Sequence, residues 1–112
     1  MALTMILRLG LAALHLPHAV TAPPPPPLQP AVASWYNDAG QTACGFHARY
    51  GFASRWLPCG ARVLMRGPGS SVIAVMQDRG PYIGGRTFDL NPALKAALGC
   101  GDLCLVRYRA IR

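Results

Sequence analysis

At 112 residues the chain has room for one domain at most, and its 11 basic residues against 4 acids give a formal net charge of +7. The basic residues are scattered and almost all arginine, with no zinc-finger spacing, basic helix or recognition motif, so the composition excludes the usual nucleic-acid readers. Glutamate is absent, and Asp38, Asp78, Asp89 and Asp102 are the whole carboxylate supply.

In "MALTMILRLGLAALHLPHAVTA" Arg8 precedes an apolar run from Leu9 to Leu16, and the small residues Val20 and Ala22 stand where a cleavage site needs them. Residues 1–22 therefore read as a signal peptide, and export to the periplasm or the extracellular side of the cell envelope is expected. Pro23 fits poorly after a cut, which leaves cleavage elsewhere or a retained weak anchor open. The run is well short of the roughly 20 apolar residues of a spanning helix, so no integral membrane span is expected. Residues 23–30, "PPPPPLQP", lack most backbone donors and favour polyproline II, a stiff spacer or a ligand for a proline-reading domain. The domain is then 31–112, about 80 residues, a size at which one apolar core is marginal without covalent staples.

Along that domain "ASWY" (33–36), "RVLMR" (62–66), "SVIAVMQ" (71–77), "RTFDL" (86–90) and "LCLVRYRAI" (103–111) are short β-branched or aromatic runs between glycines and prolines, the pattern of strands. "GPGS" (67–70) reads as a hairpin turn. "NPALKAALG" is the one clear helix: Asn91 caps it, Pro92 suits its first position, Leu94, Ala97 and Leu98 form an apolar face, and Gly99 ends it. A mainly β domain with one short helix is best accommodated by a small closed barrel, because closure removes exposed strand edges. Met65 and Met76 read as core filler.

Four cysteines in a chain that looks exported point to disulfides, and three pairings are possible. Cys44 with Cys59 and Cys100 with Cys104 is the preferred set, since each pair is close in sequence and has a glycine beside it. A metal centre is not expected: CxxC spacing is missing, and His47 is the only histidine beyond the signal segment. No cofactor is expected either.

"ASWY", "TACG", "LPCG", "QDRGPYIGGRTFDLN" and "PALKAALG" occur in an order that resembles the rare lipoprotein A family of septal-ring lytic transglycosylases. The likeness spans about 34 to 109, and its specific part is "DRGP" followed closely by "R.FDL". It implies a six-stranded double-psi β-barrel acting on peptidoglycan or another cell-wall glycan. More remotely the chain is similar to expansins and barwin-like proteins. Carried over by position, the resemblance makes Asp78 and Asp89 the catalytic candidates. Ser34, Tyr36, Arg79, Arg86 and His47 are the candidate substrate-binding residues beside them. Lytic members carry a glutamate after "TA.G" and a histidine before "R.LP", where this chain has Phe46 and Ser54.

Glycoside hydrolysis normally uses two carboxyls, and only Asp78 and Asp89 are expected to share a groove. A lytic transglycosylase needs one, because the sugar's own hydroxyl attacks its anomeric carbon. A loop-bracing ion pair with Arg79 or Arg86 is the plainer role for Asp78, and service to the turn before the Asn91 helix is the plainer role for Asp89. Tyr36 is preferred over Trp35 as a sugar-stacking residue, and His47 reads most simply as a solvent-facing loop residue. The expectation is a monomeric lytic transglycosylase-like enzyme, with a noncatalytic expansin-like wall-binding module as the rival and a barwin-like defence protein as a third class.

Overall fold

In "RVLMR" and "SVIAVMQD" the apolar residues are consecutive, and the pleat of each strand decides which of them are buried: Val63, Met65, Ala74 and Met76 are fully inside, while Leu64, Ile73 and Val75 face outward. The computed structural model describes residues 22–111, so the segment read as a signal peptide lies, Ala22 apart, outside the described residues. Six strands, β1 (Gln29–Trp35), β2 (Gly51–Ala53), β3 (Arg62–Arg66), β4 (Ser71–Asp78), β5 (Phe88–Leu90) and β6 (Cys104–Ile111), form a closed barrel in the order β1-β5-β2-β4-β3-β6. β1 with β5 and β2 with β4 run parallel, and the other pairs are antiparallel. Among the described residues no helix is long and apolar enough to cross a membrane.

Phe52, Phe88 and Tyr108 hold the barrel interior, Phe88 meeting the other two rings edge-on at centroid distances of 5.2 and 4.8 Å. Helix α1 (Pro92–Leu98) closes against the barrel with Leu94 and Leu98 buried. Its ends are as the sequence suggests: the Asn91 side chain accepts from Leu94 N, and Gly99 takes a left-handed conformation (φ 72°). The "GPGS" turn does join β3 to β4, and its glycines have a further purpose. A Cβ on Gly67 would lie 2.5 Å from the Leu98 carbonyl, and Gly69 N donates to that carbonyl at 2.9 Å, so the turn packs directly on the helix end. Both expected disulfides are present, Cys44–Cys59 and Cys100–Cys104.

Two features depart from the pattern reading. β2, "GFA", has no β-branched residue and only three positions, so it leaves no periodic signal, yet it sits between β5 and β4. β1 begins at Gln29, four residues before the expected strand start at Ala33; Pro30 is accommodated near the start of the strand, where a missing N–H costs least.

Candidate functional site

Four adjacent strands carry one row of register partners on their outer side: Ser34 stands opposite Asp89, Asp89 opposite Ala53, and Ala53 opposite Asp78. The two carboxylates therefore flank Ala53 across two strand spacings, about 9–10 Å at the backbone. A register shift between Phe52 and Ala53 makes this possible. Phe52 pairs with Met76, but the shift skips Gln77 and brings Asp78 opposite Ala53.

Gln77, skipped by the ladder and fully buried, turns under the loop that follows β1. Its Oε1 accepts from Ala48 N at 2.7 Å, and its Nε2 donates to Tyr36 Oη at 3.0 Å and Asp38 Oδ2 at 2.8 Å. Asn91 Nδ2 donates to the same Asp38 oxygen at 3.0 Å and to the carbonyls of Ala48 and Arg49. One buried amide thus ties the groove wall to the helix cap, and among the described residues no buried side-chain polar atom lacks a partner.

Asp78 is oriented by backbone. Its Oδ1 accepts from Ala43 N at 2.8 Å and from its neighbour Arg79 N at 2.9 Å, and Tyr36 is close enough for its phenol to be influenced by the Asp78 carboxylate. Burial, opposed by the Gln77 amide and reinforced by Asp78 and Asp38, pushes the Tyr36 hydroxyl up to about 12. It is a neutral hydroxyl at any physiological pH. For Asp38 burial favours the neutral acid, but the Gln77 and Asn91 amides, its own backbone and the nearby His47 outweigh it and hold the carboxyl below its ordinary range.

The arginines expected beside the acids are engaged elsewhere. Arg79 donates to the carbonyls of Leu57 and Ser54, and Arg55 donates to those of Pro81 and Arg86. Among the described residues the one ion pair is Lys95–Asp102, at 3.7 Å, so the bracing pair considered for Asp78 is not formed. Arg86 lines a separate hollow of about 260 Å³ with Arg55 and Tyr82. Asp89 accepts from the Ser34 hydroxyl instead of serving the helix turn. His47 is exposed, its Nε2–H donating to Gly40 O at 2.7 Å. It shares with Asp38, Arg49 and Asn91 an open groove of about 480 Å³.

Tyr36 and Asp78 are thus brought together, Ser34 and Asp89 form a second pair on the other side of β2, and His47 stands in the groove beyond Gln77. Trp35 is on a different face, where its indole N–H donates to Asp102 and Lys95 lies 4.7 Å from its ring centroid. Trp56 stacks on Phe88 and remains half-exposed. Ser54 is buried and accepts from Trp56 N and Leu57 N, while Phe46 is exposed. Asp38 and Gln77 were missed by sequence reasoning. Asp38 lies in a loop without periodicity, and a glutamine ending an apolar strand was the only available hint of the network.

The family described as "Lytic transglycolase" matches residues 29–108. A probable endolytic peptidoglycan transglycosylase RlpA from Synechocystis sp. is 35% identical over 82 residues, covering 61% of this chain and 24% of its own length. The chain therefore spans about a quarter of that curated relative. Among solved structures, a Clavibacter michiganensis expansin superposes with a TM-score of 0.64 at 16% identity in a mutant complex with cellohexaose, covering 77% of this chain and 51% of that one. The Streptomyces papain inhibitor superposes at 0.61 with 18% identity over 81% of this chain and all of its own. Those two likenesses are of fold. The closed six-stranded barrel and the match across nearly its whole length together show that the chain belongs to the lytic transglycolase family of double-psi β-barrels.

Proposed function

We propose that this domain is exported to the cell envelope and cleaves peptidoglycan glycan strands by lytic transglycosylation, with Asp78 as the single general acid and base. The observation that carries the reading is the setting of the Asp78 carboxylate: among the described residues no arginine pairs with it, two backbone N–H groups hold Oδ1, and Tyr36 is beside it. An oxygen accepting two N–H bonds is a poor place for a proton, so the transferable proton belongs on Oδ2. Protonation of the glycosidic oxygen from Oδ2 accompanies cleavage of its bond to the anomeric carbon. The primary hydroxyl of the same sugar then closes on that carbon as an anhydro ring and returns its proton to Asp78. No water is consumed and no second carboxylate is needed. The Synechocystis relative named as a peptidoglycan transglycosylase supports this chemistry.

A noncatalytic, expansin-like wall-binding role is the second reading, favoured by Phe46 and Ser54 at the family's glutamate and histidine positions. The expansin that shares this fold over 51% of its own chain was solved in complex with cellohexaose.

Digestion of purified sacculi separates the two. Wild-type protein should release anhydro-ended fragments, and Asp78→Asn should abolish release while folding and sacculus binding persist. Asp89→Asn should reduce activity less. Turnover by Asp78→Asn equal to wild type removes Asp78 from catalysis. Sacculi bound but left intact by wild type support the binding role, and ordinary reducing ends point to a two-carboxylate hydrolase.

A further inference from the structure

On the outer side of β3 and β6, Arg66 stands directly opposite Arg107, and in the next outward row Arg109 stands opposite Leu64. Arg62 completes the group on β3, and among the described residues none of these four arginines forms an ion pair with a carboxylate. Like charges directly opposed across two strands are destabilising. Basic residues on edge strands often prevent sheet association, but this barrel is closed and β3 and β6 have no free edge. The repulsion therefore has no counterpart within the fold. Its natural counterpart is an external anion, and the planar guanidinium suits phosphate.

We propose that this arginine face docks on anionic phospholipid headgroups and holds the Asp78 groove away from the membrane. Two observations favour lipid over a soluble polyanion. Leu105 is 70% exposed beside Arg107 along β6, and Ile73 is 47% exposed opposite Leu64, so apolar side chains are interleaved with the cations as an interfacial surface requires. Pro30 is itself opposite Arg107, so the proline run of residues 23–30 joins the barrel on this side. The geometry suits such docking. In the closed order β3 lies three strands from β5, and β6 three strands from β2, which places the arginine face across the barrel from Asp89 and Ala53. Asp78 is on β4, next to β3, but at its far end: Arg66 pairs with Ser71 at the start of β4, seven residues or about 23 Å from Asp78.

Cosedimentation of the full chain with phosphatidylcholine vesicles containing 30% phosphatidylglycerol, against pure phosphatidylcholine, tests the proposal. Binding should require phosphatidylglycerol and weaken from 50 to 500 mM salt. Arg66→Gln/Arg107→Gln should raise the lipid concentration for half-binding by about 30-fold while sacculus digestion or binding is unchanged. Because every variant keeps the same N-terminal segment, a difference reports on the barrel face. Equal binding by the double variant, or to both vesicle types, overturns the proposal. So does a duplex oligonucleotide that binds through these arginines when vesicles do not. Should the glutamine pair fail to fold, Arg66→Lys/Arg107→Lys and the wild-type salt titration decide: salt-insensitive binding overturns it, and charge-dependent binding retained by the lysine pair supports it.

Discussion

Gly51 and Gln77 compete for one volume: a Cβ on Gly51 would stand 2.2 Å from Gln77 Oε1. The glycine leaves a slot in the barrel wall, and the amide that fills it links Tyr36, Asp38 and the Ala48 backbone. Gly51→Ala should therefore displace Gln77 and leave buried polar groups without partners, costing about 2–4 kcal/mol. Urea unfolding measures this. Gly51→Ala/Gln77→Ala should lose less than the sum of the single changes, because both act on the same contact; strict additivity would show that the slot and the amide are independent.

Tyr36 should ionise above the ordinary tyrosine range. Its folded pKa of about 12 lies above the ordinary 10.0, so its stabilising contribution is complete below pH 10 and is lost between pH 10 and 12. Absorbance at 295 nm should show a component titrating near 12 that disappears in Tyr36→Phe. The stability difference between the two proteins should also shrink across that interval.

Asp38 works in the opposite direction. Its folded pKa is below the ordinary 3.8, so its contribution is present above about pH 4 and is lost as pH falls through the folded value. Urea unfolding of wild type and Asp38→Asn should show the gap between them closing from pH 5 to pH 2. A gap constant over that range would mean that the Gln77 and Asn91 amides serve Asp38 equally well when it is protonated.

The two disulfides should differ in their effect on function. By chain entropy, losing the 15-residue Cys44–Cys59 link costs about 3 kcal/mol and losing the 4-residue Cys100–Cys104 link about 2 kcal/mol. Cys44 also follows Ala43, whose N–H orients Asp78, and its own N–H donates to the Gln77 carbonyl. Cys44→Ser/Cys59→Ser should consequently weaken sacculus binding or turnover at temperatures where the protein is still folded. Cys100→Ser/Cys104→Ser should lower the melting temperature alone. Equal functional losses would break the link between this disulfide and the groove.

What the sequence by itself determined was local. The apolar runs "RVLMR" and "SVIAVMQ" marked β3 and β4 as strands, though not which of their residues face inward. Asn91, Pro92 and Gly99 bounded the helix, and the spacing of four cysteines favoured the pairing that forms. The "DRGP" and "FDL" stretches pointed to Asp78 and Asp89, since those signals lie within a few residues of one another. Tertiary structure decided what depends on strands distant in sequence: that "GFA" is a strand at all, and that its register shift brings Asp78 rather than Gln77 opposite Ala53. It also decided that Asp38 is held through Gln77, 39 residues away, and that Arg66 and Arg107 are opposed on neighbouring strands β3 and β6. A three-residue strand has too few positions to show a period, and its pairing is stabilised by neighbours the local pattern does not contain. The acids were therefore legible as residues, while their shared row and the amide beneath it arose from barrel closure.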